Sequence, residues 1–289
     1  MRIPNQLVES LNNRQCVVLV GSGLSSRLFT RIGKRYPSWT GLLEELLDYA
    51  YQHDCFNENE KIMLMDMLSK GNLSMSAQIL RNRMTETDFG AFLDSIFRND
   101  NRFDRAHNQI MGLPFAFFMT TNYDTILECA HSYKYNTQLP VYTNEQSATI
   151  NNKISNNERF LYKIHGTFDR PSTVVLTKND YRKLYYEESY IATMKNIFIN
   201  YSVLFIGFSY SDPDIELILS EISRTFSGNN RMHYLLISQG VYNSLEQEYM
   251  KNDDRVTVME YDNSDGSHSG VDLFLDELIS RVKKKLNIT

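Results

Sequence analysis

The stretch Cys16-Val17-Val18-Leu19-Val20 is apolar at every position, rich in β-branched residues, and stops abruptly at Gly21. A strand with no polar alternation must be covered on both faces, and parallel sheets flanked by helices provide that cover. Comparable runs lie at Phe115–Met119, Phe160–Ile164, Ser202–Ile206, Tyr234–Ile237 and Val256–Glu260. Between them the apolar period changes to that of a helix: Leu42, Leu43, Leu46, Leu47 and Ala50; then Ile62 to Arg83 and Phe89 to Phe97; Ile126, Leu127 and Ala130; Ile215, Ile218, Leu219 and Ile222; and a closing helix from Val271 to Leu286. Strands alternating with helices predict an α/β fold, a Rossmann-like doubly wound parallel sheet.

Residues 40 to 110 are helical in pattern and longer than a βα crossover requires, so they read as a helical insertion forming a smaller subdomain within one domain spanning 1–289. Its methionines, Met63, Met65, Met67, Met75 and Met84, read as gap-fillers in a helical core. The Asn-, Ser- and Thr-rich stretch 143–158 reads as a mobile surface loop. At Ser211-Asp212-Pro213-Asp214 a polar cap followed by proline marks a helix start.

At 289 residues, 42% hydrophobic and 22% charged, the chain has enough apolar content to build a sizeable core. A formal net charge of −5 excludes a global basic field for nucleic acid, and Lys283-Lys284-Lys285 reads as a solvated helix end. No apolar stretch approaches the roughly 20 residues of a membrane span, and Met1-Arg2-Ile3-Pro4-Asn5 is not a secretory signal. Cys16, Cys55 and Cys129 are far apart, which excludes a four-cysteine zinc site and argues for a reducing, cytoplasmic setting.

Four clusters stand directly after predicted strands: Gly21-Ser22-Gly23-Leu24-Ser25, Thr121-Asn122-Tyr123-Asp124, His165-Gly166 and Gly207-Phe208-Ser209. Those are carboxyl ends, where open α/β sheets bind ligands. Each has an alternative reading. Gly21-x-Gly23 lacks the third glycine of a dinucleotide fingerprint, since Ser26 stands there, and by itself reads equally as a tight turn or a phosphate loop. Asn122 and Asp124 are helix caps or ligand contacts; His165 is a structural histidine or an active-site one; Asp212 and Asp214 are helix-start residues first and direct ligands second.

In this order the four clusters resemble the sirtuin family, and specifically its zinc-free SIR2-like branch of bacterial anti-phage NAD hydrolases. Gly21 to Ser25 is similar to the family's Gly-Ala-Gly-x-Ser loop, Thr120-Thr121-Asn122-Tyr123-Asp124 to its Thr-Gln-Asn-Ile-Asp, His165-Gly166 to its catalytic His-Gly, and Gly207-Phe208-Ser209 to its Gly-Thr-Ser. Tyr36-Pro37-Ser38-Trp39, Val175 to Tyr181, Gly207 to Ile215 and Phe274 to Leu278 resemble the SIR2-like branch in particular. The likeness covers nearly the whole chain. It departs from deacylating sirtuins in two places: Arg27-Leu28-Phe29-Thr30-Arg31 stands where they carry Asp-Phe-Arg, and no cysteine follows Cys129, where they carry a four-cysteine zinc module.

The resemblance implies an NAD⁺ hydrolase that splits the nicotinamide–ribose bond without a metal. It assigns Asn122, Asp124 and His165 to catalysis, and Gly21, Ser22, Gly23, Ser25, Thr121, Gly207, Phe208 and Ser209 to NAD⁺ binding. Two other classes fit less well: an NAD-dependent protein deacylase, and a non-catalytic NAD or ADP-ribose sensor, which has no need of all three catalytic residues. With no length left for an appended sensor domain, activation is expected from copies of the chain or from a separately encoded protein.

Overall fold

The computed structural model describes residues 2–208, 213–226 and 230–286. Helix α1 (Asn5–Asn12) leads into β1 (Cys16–Val20) and the one-turn helix α2 (Ser22–Ser25). Five helices follow: α3 (Trp39–Gln52), α4 (Glu58–Ser69), α5 (Leu73–Arg83), α6 (Glu86–Phe97) and α7 (Arg105–Gly112). The chain then alternates through β2 (Phe118–Thr120), α8 (Ile126–Tyr135), β3 (Val141–Thr143), α9 (Ser147–Ser155), β4 (Leu161–Lys163), α10 (Lys178–Tyr186) and α11 (Glu188–Asn200). It finishes with β5 (Ser202–Ile206), α12 (Pro213–Phe226), β6 (His233–Ser238), α13 (Ser244–Asn252), β7 (Val256–Tyr261) and α14 (Gly270–Leu286).

Among the described residues the strands form one seven-stranded sheet, ordered β3-β4-β2-β1-β5-β6-β7 and parallel throughout. This is the doubly wound α/β architecture the apolar runs predict. The central strand shows why: Val18 and Val20 enter a core shared with α1, α7 and α14, while Val17 and Leu19 enter the opposite core against α11 and α12. The connection leaving β1 leads to β2 on one side, whereas β5 pairs on the other, so strand order reverses at β1 and opens a crevice at its carboxyl end.

That crevice is narrowed by three glycines. Gly21 N–H donates to Ile206 O at 2.9 Å and Gly23 N–H to Gly207 O at 2.8 Å. A Cβ at Gly21 would lie 2.4 Å from Gly207 O, and one at Gly207, where φ is +65°, would lie 2.3 Å from Leu24 N. The turns after β1 and β5 therefore touch backbone to backbone, which only glycine permits.

Helices α3 to α6 build a third core of their own, including Leu43, Leu46, Leu80, Phe92 and Leu93, closed by Tyr123, Val174 and Leu176 from the sheet's loops and by Ile126 at the start of α8. The run Ile62–Arg83 is two helices, turned at Gly71-Asn72. α7 packs instead into the core beneath β1 and β2.

Several expectations are corrected. Stretch 143–158 is not a loop: Thr143 and Gln146 form a capping box, and α9 follows with Ile150 fully buried and Asn151 bonded to Thr193 and Asn196 of α11. Its polar side chains satisfy one another across a helix pair, and composition alone cannot distinguish that from solvation. The methionines are not all core fillers. Met84 is buried and Met67 partly so, but Met63, Met65 and Met75 are more than half exposed, at 65%, 55% and 52%. The ladder also uses less of the second apolar run than expected, β2 starting at Phe118, although Phe115 and Phe117 are buried against opposite cores. The helix start proposed at Ser211-Asp212 lies outside the described residues, as does Ser209.

Because Gly21 faces the Gly207 backbone, Gly21→Val should lower stability by about 1–3 kcal/mol, the usual cost of overpacking. Denaturant unfolding measures this. An unchanged midpoint accompanied by lost nucleotide affinity would contradict it and restore a purely ligand-facing role.

Candidate active site

Ser25 reaches the crevice from α2, and its hydroxyl joins two residues from the turn after β2. It donates to Asp124 Oδ2 at 2.8 Å and accepts from Asn122 Nδ2 at 3.0 Å. All three side chains are buried. The turn is braced from below: Thr120 Oγ1 donates to Val20 O at 2.8 Å and accepts from Asn122 N–H at 3.0 Å. Asp124 Oδ1 accepts from Ile126 N–H at 3.0 Å. Asp124 thus meets the helix-start reading, accepting the first N–H of α8 with one oxygen while the other ties the turn to Ser25. With both oxygens engaged, its carboxylate is held in one orientation.

His165 arrives from β4. Ile164 N–H donates to Thr120 O at 3.0 Å, Val175 N–H donates to His165 O at 3.0 Å, and the imidazole stands edge-on to Tyr181 at 5.5 Å. Gly166 follows at φ +82°, where a Cβ would strike Thr173 O at 2.2 Å. The His-Gly pair is therefore also a sterically required turn.

Lys163, two residues before His165, was not anticipated from sequence. It is fully buried, and its Nζ donates to Tyr123 O at 3.3 Å, to Asp124 O, and to Glu128 Oε1 at 3.0 Å. Burial pushes the Glu128 carboxyl above the usual carboxylate range, with the Lys163 ammonium pulling the other way. Tyr123 braces the same turn, its hydroxyl donating to Val175 O at 2.7 Å and its carbonyl accepting from Phe168 N–H at 3.1 Å.

These groups open onto a cleft with a cavity volume of about 130 Å³. Ser22, Ser25, Thr121, Asn122, Asp124, His165, Gly207 and Phe208 all line it. Gly21 and Gly23 do not; they shape the turn from behind, against Gly207. Sequence reasoning missed the aromatic wall of Tyr36, Trp39, Phe97 and Tyr181. Trp39 and Tyr181 lie 6.2 Å apart, centre to centre, and bring α3 and α10 together over the site. Burial, with the Asp124 carboxylate nearby, holds the Tyr36 phenol well above its ordinary value, so it faces the cleft as a neutral hydroxyl. The available signal was Tyr36-Pro37-Ser38-Trp39 itself, two aromatics beside a helix cap; Ser38 does cap α3, accepting from Gly41 N–H at 3.3 Å.

Chemically the cleft offers amide and hydroxyl groups in fixed orientation, one imidazole and one carboxylate beside an apolar wall. Such a set can hold a ribose and an aromatic ring and can accept a proton. Among the described residues no group of three His, Cys, Asp or Glu side chains is placed to hold a metal ion, and no helix is long and apolar enough to cross a membrane.

Residues 116–259 match the family model described as SIR2-like domain. NAD(+) hydrolase ThsA of Bacillus cereus (strain MSX-D12) is 29% identical over 223 residues, covering 77% of this chain and 43% of that protein. NAD(+) hydrolase ThsA of Enterococcus faecium is 28% identical over 232 residues, covering 79% and 44%. Defense-associated sirtuin 2 of Bacillus subtilis is 27% identical over 232 residues, covering 76% and 20%. The chain spans less than half the length of these relatives. Ser25, Asn122 and Asp124 thus join at one strand-end cleft beside His165, and the chain carries a region, residues 116–259, running from β2 into β7, that matches the SIR2-like domain family.

Proposed function

We propose that this chain hydrolyses NAD⁺ at the nicotinamide–ribose bond, giving nicotinamide and ADP-ribose, and that it acts in the cytoplasm as the effector of an anti-phage defence system. The observation that carries the reading is the Ser25–Asn122–Asp124 hydrogen-bonded set beside His165 in one cleft. Relatives named NAD(+) hydrolase ThsA, 26–29% identical over most of this chain, support it.

Nicotinamide in NAD⁺ leaves as a neutral ring from a cation, so its departure needs no general acid and creates an oxocarbenium-like ribosyl centre. Asn122, held by Ser25, orients the ribose and the attacking water. Asp124 fixes the turn and adds a negative charge near the developing cation. His165 accepts a proton from water or from a ribose hydroxyl. Ser22, Thr121, Gly207 and Phe208 line the remaining cofactor surface and Gly21 and Gly23 shape the diphosphate turn; the sequence resemblance assigns Ser209 to NAD⁺ binding as well. Positioning and fixed dipoles supply most of the acceleration in this mechanism. We read helices within roughly 40 to 110 as an inserted, smaller subdomain of one NAD-binding domain; the separate apolar core of α3 to α6 supports this.

An ungated hydrolase would drain NAD⁺ from its own cell, so the reading includes control by assembly with further copies or with a separately encoded activator. The exposed Ile62, Met63, Met65 and Met75 on α4 and α5 suit such a contact. A partner that binds the competent state better shifts the population about tenfold for each 1.4 kcal/mol of differential affinity.

Asn122→Ala and His165→Ala should each abolish NAD⁺ turnover in a protein that still folds cooperatively, turnover being measured by mass-resolved product formation. Near-normal turnover in either variant would remove that residue from the mechanism. Turnover per molecule should also rise with protein concentration or with the activating protein; a dilute monomer working at full rate under all conditions would sink the gating proposal.

A further inference from the structure

Lys163 stands apart from the cleft: it is fully buried and does not line it, so no substrate group meets it. A cation in a protein interior persists only where acceptors replace its water. An ammonium has three N–H donors, and here it meets three acceptors: the carbonyl oxygens of Tyr123 and Asp124 and the carboxylate of Glu128. Two of those acceptors are main-chain atoms of the turn that carries Asn122 and Asp124, and neither can titrate. With those carbonyls drawn inward, the peptide planes of the turn have one orientation, the one that aims Asn122 and Asp124 at Ser25.

The same lysine is the last residue of β4, two positions before His165, and its backbone is held in register by pairing of β4 with β2 and β3. One side chain therefore spans the two halves of the site. Tyr123 O also accepts from Phe168 N–H at 3.1 Å and from the Thr167 hydroxyl at 3.5 Å, so the segment after His165 is anchored to the same point.

We propose that Lys163 is a positioning residue for hydrolysis, fixing the Asn122–Asp124 turn and the His165 strand end relative to each other through its bonds to the Tyr123 and Asp124 carbonyls. This rests on the reading of the cleft as an NAD⁺-hydrolysing site. It touches neither substrate nor water, so its effect falls on the catalytic step, and little of it on binding. A misplacement of about 1 Å in such a site costs about 10²-fold in rate.

Two variants of the full chain test it. Lys163→Met keeps length and removes the charge. Lys163→Met with Glu128→Leu also removes the buried carboxylate, and because an apolar pair often replaces a buried ion pair without loss, the double variant should recover the melting temperature. The expected result is kcat lowered about 10²-fold in both, with KM near wild type and stability restored in the double variant only. Amide hydrogen exchange across residues 121–126 should quicken in both variants with no NAD⁺ present. A stable double variant with wild-type kcat would overturn the proposal, as would unchanged exchange at 121–126 in Lys163→Met. A wild-type protein inert towards NAD⁺ in every assembly state would instead overturn the reading of the reaction, and the exchange measurement, which needs no substrate, separates the two failures.

Discussion

One hydroxyl, that of Ser25, receives the Asn122 amide and gives its proton to Asp124, and so ties the turn after β1 to the turn after β2. Parallel strands alone bring those turns close; they do not fix side chains. Buried as this trio is, each bond acts in a low-dielectric surrounding, where a satisfied network is rigid and a half-satisfied one is costly. The turn after β5 enters through Gly207, pressed against Gly21 and Gly23, and the turn after β4 enters through His165. Four strand ends are thereby locked into one cleft floor.

The floor is polar and the wall aromatic, and the two come from different parts of the chain. The floor belongs to the sheet. The wall comes from the segment before α3 and from α3, α6 and α10, with Tyr36, Trp39, Phe97 and Tyr181 lining the same cleft as Asn122 and His165. In deacylating sirtuins the segment between the His-Gly and Gly-Thr-Ser motifs carries a cysteine-rich module. Here the corresponding segment forms α10 and α11, and its Tyr181 meets His165 directly. The roof over the site is thus made by ring packing, an arrangement that needs no cysteine.

Much of this was legible in the residues because strands buried on both faces have an unmistakable pattern. Cys16–Val20 and Ser202–Ile206 are strands with the boundaries their apolar runs suggest, and each of the four clusters does follow a strand. What was not legible depends on partners distant in sequence. Lys163 reads as an ordinary charged residue until Tyr123, Asp124 and Glu128 are placed around it. The 143–158 stretch looks solvated because Asn151 meets Thr193 and Asn196 only after folding. Met63 and Met65 look like core residues because helical period reports a face and not what covers it. The glycines show a subtler gap: their pattern suggests room for a phosphate, whereas the backbone of Gly207 already occupies the space beside Gly21.

The central claim is that this cleft lets water take the place of nicotinamide on the ribose of NAD⁺. Incubating the protein, at the concentration where it assembles, with NAD⁺ in heavy-oxygen water and resolving the products by mass tests that claim most directly. The expected products are free nicotinamide and ADP-ribose carrying one heavy oxygen, both lost in Asn122→Ala. Intact NAD⁺ under every assembly condition, or a product in which the ribose is joined to an acyl group in place of solvent oxygen, would contradict it.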